Sequence, residues 1–431
     1  MRITLINLIF VLHLLNSSQT HAQYFQQGLD IEINAALDSN HQIIGTTNLT
    51  YTNNSSQALD TSYLHLWANA FSDRASAFGE QNIRLGMLDH YFAPESSLGG
   101  YRNFDVSIDG QSKDVYSWDN NKDVVYLLLP KPLKPGESIK IKTSYELNLP
   151  KKFSRMGHIG GDTYLTYWYP TIAVYDLDGW HPMPYLNMGE MYTEVSDYTV
   201  NLSVIGKHQI IASVPTVNKS TDEYRYQAKG LVDFAVMISE GKSKFTREIA
   251  TKNGHAITLE FLAQIESRAD SGAQYVLDAI NYLEDVIGKF PYDHLSIMDK
   301  GEKAKSGMEY PGLITVSGKD EIYSEYQYYL VHELLHQYFY SALGFDQRSH
   351  AWLDEGLTTY YQQRYYNEVL GMDHYSRQSN PLLNEGQQPI FHNIARGQAC
   401  RHYHKPLSTK IHDTDPANYG LNAYEVPARS Y

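Results

Sequence analysis

The feature that most constrains this chain is the segment His332-Glu333-Leu334-Leu335-His336. In an α-helix, residues four positions apart lie about 40° apart on one face, so both imidazoles could reach a single cation. Glu333 would point elsewhere, close enough to take a proton from a water held by that cation. Two histidines on an ordinary helix surface are the alternative interpretation of the same five residues.

A carboxylate further along the chain favours the metal interpretation. Glu355 lies in the segment Trp352–Gly356, and eighteen residues separate it from His336. A catalytic zinc site usually has three protein ligands, commonly two histidines and a glutamate, and leaves one position for water. The pattern predicts one zinc ion per chain, bound by His332, His336 and Glu355. Spacing alone leaves the neighbouring Asp354 open as a competing ligand.

The two segments HELLHQYF and WLDEGLTTYY together resemble the zinc signature of the aminopeptidase N family of zinc metallopeptidases, the membrane alanine aminopeptidase type. The thermolysin group, whose spacing differs slightly, is the nearest related group. In the resembled family the first glutamate is the general base and the distant glutamate is the third metal ligand. The resemblance therefore implies that Glu333 is the catalytic base and that Glu355 binds zinc.

A second segment upstream, Ser306–Pro311, is similar to the Gly-x-Met-Glu-Asn motif of the same family, although Tyr310 stands where Asn is usual. The family's glutamate binds the free α-amino group of the substrate. A carboxylate suits this task because it accepts a charge-assisted hydrogen bond from the ammonium. The resemblance implies that Glu309 anchors the substrate, with Gly307 and Met308 in the same substrate-binding segment. A glutamate in a solvated loop is the alternative interpretation.

A third segment, Tyr419–Glu425, resembles the family's tyrosine pair, in which the second tyrosine stabilises the oxyanion. This implies a catalytic role for Tyr424, whose phenol would donate to the developing negative charge. Val426 and Pro427 depart from the Lys-Gly that follows in the family. Family members also continue into a further helical domain, so we expect the catalytic domain here to be truncated, either as a fragment or as a shortened protein.

Hydrophobic periodicity divides the chain into a β-rich part and a mixed part. Alternating apolar residues mark a strand over residues 139–147 after the turn signal Lys134-Pro135-Gly136, and shorter strands are predicted over residues 31–33, 200–204 and 234–238. Beyond residue 257 the pattern predicts a strand, a helix ending near Gly288, two short strands, and helices over 321–343 and 353–370. We expect a multidomain protein. An N-terminal all-β, sandwich-like domain (residues 23–246) precedes a mixed, mainly helical, thermolysin-like catalytic domain (residues 247–431).

The N-terminus has the pattern of a secretory signal peptide over residues 1–22, with Arg2, an apolar stretch and a small residue at Ala22. We expect export to a periplasmic or extracellular location, with no stable membrane span after signal removal and membrane association only if this segment is retained. The single cysteine, Cys400, excludes an intramolecular disulfide. The net charge of −14 and the lack of a basic run argue against nucleic acid as a partner.

Together these features predict a zinc-dependent aminopeptidase that hydrolyses the N-terminal peptide bond of peptides by means of a zinc-activated water and a glutamate base. Two alternatives use the same residues. One is a zinc endopeptidase or another zinc hydrolase, and the other is a non-catalytic peptide-binding fragment on the same scaffold. No sequence pattern indicates the oligomeric state or the preferred residue at the cleaved N-terminus.

Overall fold

The computed structural model describes residues 25–303, 306–320 and 324–371. Strands dominate the first two thirds of this part, and helices gather near its end. In chain order the strands are β1 (Gly28–Leu37), β2 (Gln42–Thr52), β3 (Leu59–His65), β4 (Gly100–Ile108), β5 (Gln111–Lys113), β6 (Tyr116–Trp118), β7 (Asn121–Leu133), β8 (Ser138–Asn148), β9 (Gly157–Ile159), β10 (Asp162–Leu165), β11 (Thr171–Ile172), β12 (Tyr175–Asp176), β13 (Gly179–Trp180), β14 (Ser196–Val204), β15 (Gln209–Ala212), β16 (Thr216–Lys219), β17 (Glu223–Leu231), β18 (Val236–Ser239), β19 (Ser243–Ala250), β20 (Ala256–Ala263), β21 (His294–Asp299) and β22 (Leu313–Val316).

The helical elements fall into two groups along the chain. Short ones lie between strands of the β-rich part, whereas the longer ones follow β20. They are the α-helices α1 (Ala77–Arg84), α2 (Glu266–Val286), α3 (Glu325–His336) and α4 (Leu357–Glu368), the 3₁₀ turns Trp67–Phe71 and Glu95–Ser97, and the π-helical turns Gln337–Ser341 and Trp352–Gly356. No helix within the described ranges combines the length and the apolarity needed to cross a lipid bilayer.

An eight-stranded sheet forms the largest element of the β-rich part, in the order β16-β17-β14-β1-β2-β8-β4-β5. In β8 every second residue from Ile139 to Leu147 is buried, as the alternation in the sequence predicts. This strand pairs antiparallel with β2, so that Ile141 lies opposite Leu49. Two four-stranded sheets, β15-β18-β10-β9 and β11-β3-β7-β6, and the hairpin β12-β13 complete this part.

The second part is built on a four-stranded sheet in the order β19-β20-β21-β22. Strands β20, β21 and β22 run parallel, and α2 makes the crossover between β20 and β21. β19 pairs antiparallel with β20 along its whole length, and the predicted boundary between residues 246 and 247 falls inside β19. Alternation of apolar residues identifies a strand but carries no information about the sheet that it joins.

Two buried apolar clusters hold the structure together. One fills the β-rich part and also includes Leu262, Met298, Tyr310 and Leu313 from the second sheet and the loop before β22. The other lies between the second sheet and helices α2, α3 and α4. Because the first cluster extends into the second sheet, the β-rich part packs directly against the segment that contains Tyr310. The prediction of a strand-rich, multidomain chain is confirmed, and the long helix predicted over 321–343 ends as an α-helix at His336.

Candidate metal centre

Helix α3 places both motif histidines on one face. Ser324 caps the helix, because its hydroxyl accepts a hydrogen bond of 3.2 Å from the backbone N–H of Gln327. His332 and His336 are one turn apart, and a π-helical turn begins directly after His336. A second π-helical turn, Trp352–Gly356, carries Glu355 into α4. Such turns are uncommon and concentrate at functional sites, where they re-aim side chains.

Three ligand atoms converge between these helices. The Nε2 atoms of His332 and His336 are 3.2 Å apart, and Oε2 of Glu355 lies 3.3 Å from each of them. In a tetrahedral zinc site with bonds of about 2.0–2.1 Å, neighbouring ligand atoms are about 3.3 Å apart. The observed triangle has these dimensions, and its donor set is the one common in catalytic zinc sites. The residues present therefore fit zinc.

The outer nitrogen of each histidine has its own hydrogen-bond partner. His336 Nδ1–H donates to Oδ1 of Asp354 at 2.5 Å, and both side chains are only 1% exposed. His332 Nδ1–H donates to Oε1 of Gln362 at 3.1 Å, and the Gln362 amide in turn donates to the backbone carbonyl of Tyr328. These bonds fix the tautomer that leaves each Nε2 lone pair available to a metal. Asp354 therefore orients His336, and Glu355 is the carboxylate that completes the triangle with the two Nε2 atoms.

Buried charges set the electrostatics of this cluster. Burial disfavours the charged form of His336, but the carboxylates of Asp354 and Glu355 outweigh it and raise the pKa of His336 well above its usual value. Burial also acts on Glu355, yet His336 and His332 outweigh it and hold the pKa of Glu355 far below its usual value. The carboxylates of Asp354 and Glu355 thus favour a positive charge between the two histidines, either as protons on the rings or as a bound metal ion.

Glu333 lies beside the ligand triangle and faces Gly307. Carboxylate oxygens of Glu333 and Glu309 and a ring nitrogen of His336 lie within 4.8 Å of one another. Burial raises the pKa of Glu333 above the usual value of a glutamate. A Cβ atom at residue 307 would lie 2.0 Å from Oε1 of Glu333, so only glycine permits the close approach of this segment to the carboxylate.

The segment with Glu309 runs along the outer edge of β22, the last strand of its sheet. Met308 and Thr315 exchange two backbone hydrogen bonds of 2.9 Å, which form an antiparallel bridge. Gln337, the residue after His336, holds the same segment from the helix side. Its Oε1 accepts from the N–H of Gly312 at 2.8 Å, and its amide donates to the carbonyl of Tyr310. Gly312 adopts a φ of +64°, which glycine tolerates best.

A buried ion pair from the β-rich part borders Glu309. Both terminal nitrogens of Arg155 donate to the carboxylate of Glu190 in a bidentate pair. Burial, and then the charge of Glu190, raise the pKa of Glu309 well above its usual value. The sequence analysis missed Arg155, Glu190, Gln337 and Gln362. Only Gln362 had a usable signal, because it lies two helical turns beyond Glu355.

Most of the predicted site residues lie close together in the structure. His332, His336 and Glu355 form the ligand triangle, Glu333 and Glu309 lie next to it, and Gly307 contacts Glu333. Met308 takes part through its backbone, and its side chain packs against the first apolar cluster. Tyr424 and residues 1–22 lie outside the described residues.

Comparison with known proteins gives a fold relationship. No protein-family model and no curated protein matches this sequence. Solved structures do match, among them an M1 zinc metallopeptidase from Deinococcus radiodurans with a TM-score of 0.59 and 13% identity, over 94% of this chain and 81% of that chain. A related structure, described as a two-domain M1 zinc metallopeptidase bound to L-tryptophan, matches with a TM-score of 0.59, 14% identity and the same coverage. Another, from Deinococcus radiodurans and bound to a Tyr-Ser-Ala substrate, has a TM-score of 0.57 and 13% identity.

Identity at this level shows the fold alone. The matches nevertheless extend over both the β-rich part and the part that contains the ligand triangle. The chain therefore has the fold of the M1 zinc metallopeptidases.

Proposed function

We propose that this protein is a zinc-dependent aminopeptidase that removes the N-terminal residue of peptides. The observation that carries the proposal is the placement of two buried glutamates, Glu333 and Glu309, around the His336 side of a triangle that fits zinc. One carboxylate could act as the base, and the other could hold the cationic terminus of a substrate. The structures of the same fold that contain amino acids or a peptide support this choice of substrate.

His332, His336 and Glu355 would hold the metal. Zinc bound there would supply a Lewis acid that acidifies a water and polarises the carbonyl of the substrate. Glu333 takes the proton from the attacking water and later delivers it to the leaving amine. Burial raises the pKa of Glu333 above that of an exposed glutamate. A raised pKa suits a group that must hold a proton between two steps.

Glu309 would anchor the α-ammonium group of the substrate. Burial and the nearby charge of Glu190 both raise the pKa of the Glu309 carboxyl. A substrate ammonium that arrives there is therefore favoured electrostatically. Gly307 and Met308 would shape the same segment. On the family resemblance, Tyr424 would donate a hydrogen bond to the oxyanion. Release of a single N-terminal residue follows, because the anchor fixes the distance from the terminus to the attacked carbonyl.

The test combines metal analysis with hydrolysis of a short peptide by the wild type and by Glu333→Gln. We expect one zinc per chain in both proteins, hydrolysis of free-amine peptides by the wild type only, and no hydrolysis once the α-amine is acetylated. Cleavage of the acetylated peptide would instead indicate an endopeptidase or another hydrolase. Zinc without any turnover would indicate a peptide-binding protein, and a folded protein that takes up no zinc would refute the proposal.

Export is a separate proposal. It rests on the signal pattern of residues 1–22, and determination of the N-terminal residue of the protein purified from its host tests it. A mature N-terminus at residue 23 would support removal of the signal, whereas a terminus at Met1 would indicate retention.

A further inference from the structure

A cavity of about 650 Å³ lies where the β-rich part meets the segment that connects the two π-helical turns. Its walls come from α1, the turn between β6 and β7, the loop after β13 and that connecting segment. The volume is in the usual range of small-molecule sites. Among the described residues, none of the candidate metal ligands lines this cavity, and neither Glu309 nor Glu333 does. The cavity is therefore separate from the ligand triangle.

The most deeply buried charged residue of the lining is Arg348, with 6% of its surface exposed. Its guanidinium carries several N–H donors in one rigid plane. Nη1 donates to the backbone carbonyl of Pro184 at 2.7 Å, and Nη2 donates to Sδ of Met191 at 3.2 Å, which is a weak acceptor. The buried Nε has no hydrogen-bond partner among the described residues. Because a buried donor without an acceptor is unfavourable, Arg348 has donor capacity left for a ligand.

The charge of Arg348 also lacks a partner in contact. No carboxylate in the ranges 25–303, 306–320 and 324–371 forms an ion pair with it. Arg155 engages the nearby carboxylate of Glu190 in a bidentate pair, and those of Asp123 and Asp346 accept hydrogen bonds from backbone N–H groups. Burial lowers the pKa of Arg348 to about 10, so the opposing charges of Asp346, Glu190 and Asp123 do not compensate for burial.

The chemistry of the lining limits what could bind there. A water molecule could accept from Nε of Arg348, but only an anion also supplies the missing charge. Several acidic residues line the same cavity, and their repulsion disfavours a doubly charged group such as phosphate relative to a singly charged carboxylate. Trp118, Met183 and Leu186 add apolar surface. These features suit an organic carboxylate with an apolar body.

We propose that this cavity binds a small organic carboxylate, with the carboxylate on the guanidinium of Arg348 and the apolar body against Met183 and Leu186. The inference goes beyond the proposed peptidase function, because it concerns a second site with a ligand of its own. Two sources have the required chemistry: a free apolar amino acid and the C-terminal residue of a peptide. They differ in the ammonium of the amino acid, which the acidic residues of the lining would attract.

Calorimetry with four probes tests the proposal. Leucine and leucinamide differ in the carboxylate, and so do N-acetyl-Ala-Leu and its amide, which both lack the ammonium. The titrations use protein supplied with zinc in a Glu333→Gln background, which prevents turnover. Arg348→Gln removes the charge, and Ala75→Trp obstructs the cavity without changing Arg348. Ala36→Trp is the matched control, because Ala36 is an exposed alanine on β1 that does not line the cavity.

We expect at least one acid to bind about tenfold more tightly than its amide, the range of a charge-assisted hydrogen bond. The pair that shows the difference identifies the source. Arg348→Gln and Ala75→Trp should each abolish the difference, Arg348→Lys should retain part of it, and Ala36→Trp should retain all of it. Ala75→Trp alone decides if thermal unfolding shows that Arg348→Gln does not fold. If neither acid exceeds its amide by more than twofold, or if the difference survives in Ala75→Trp, the proposal is refuted.

Methyl spectra of protein with ¹³C-labelled methionine show where the acid binds. Met183 lines the cavity and Met191 contacts Arg348, whereas Met308 lies in the segment with Glu309. Each signal is assigned by its Met→Leu variant. The acid should shift the signals of Met183 and Met191. A shift of Met308 alone would place the acid at the candidate metal centre and refute the proposal.

Discussion

Replacement of Asp354 by Asn is expected to weaken zinc binding by about tenfold, because its carboxylate orients the ring of His336, a proposed metal ligand. Oδ1 of Asp354 lies 2.5 Å from Nδ1 of His336, and both side chains are almost fully buried. Asn keeps an oxygen that can accept the same hydrogen bond, so the orientation of the ring is retained and only the negative charge is lost. Tenfold corresponds to about 1.4 kcal/mol, the low end of the range for an outer partner of a ligating histidine.

Asp354→Ala removes the hydrogen-bond acceptor as well, and we expect the zinc affinity to fall by about a hundredfold. Thr358 gives a second contact to the same nitrogen at 3.3 Å, which limits the effect of either change on the ring position. Gln362→Leu removes the corresponding neutral partner of His332. It should weaken zinc binding less than Asp354→Ala, because a neutral acceptor stabilises the ring less than a charged one.

The assay is competition with a chromophoric zinc chelator at fixed pH, with thermal unfolding of the metal-free proteins as a check on folding. Asp346→Asn is a suitable control, because Asp346 follows the first π-helical turn and makes no hydrogen bond to either histidine in the described structure. A zinc affinity of Asp354→Asn within twofold of the wild type would refute the reasoning. An equal loss in Asp346→Asn would do the same.

Three further changes test other parts of the structure. Gly307→Ala places a Cβ 2.0 Å from Oε1 of Glu333, so we expect peptide hydrolysis to fall about a hundredfold with zinc content unchanged; a wild-type kcat would contradict this. Gln337→Leu leaves the buried N–H of Gly312 without its partner and should lower the free energy of unfolding by about 1–3 kcal/mol in urea titrations, whereas the exposed Gln274→Leu should change it little. Glu194 is 5% exposed, and burial raises its pKa from 4.5 to about 8. Between pH 4.5 and 8 the folded state therefore keeps a proton that the unfolded chain has lost. The free energy of unfolding should fall as the pH rises through this range. Glu194→Gln should flatten this dependence of the urea midpoint, and an unchanged pH slope would show that the Glu194 carboxyl is not its source.

Local sequence patterns predicted many of the individual strands and helices. The alternation from Ile139 to Leu147 predicted a strand that the structure shows as β8, and the helical spacing that ends near Gly288 predicted the helix seen as α2. These predictions succeed because burial on one face imposes a period of two on strands and 3.6 on helices. The sheet that each strand joins was not predictable, as β19 shows, because pairing depends on partners distant in the chain.

For the candidate site, the sequence by itself determined the ligand types and one helix face. Positions 332 and 336 must share a face in any helix, so their convergence follows from helix geometry alone. The choice between Asp354 and Glu355 did not follow, because adjacent residues differ only in direction, and that direction depends on how the π-helical turn packs against α3. Only the tertiary structure assigned Asp354 to the outer nitrogen of His336 and Glu355 to the ligand triangle.

The surroundings of the site were likewise decided by the tertiary structure alone. Arg155 and Glu190 come from the β-rich part, whereas Glu309 precedes β22, more than a hundred positions later in the chain. No spacing rule relates such residues, because the packing of one part of the molecule against the other brings them together. The sequence therefore determined which chemistry the chain can carry, and the packing of the two parts decided which charges surround it.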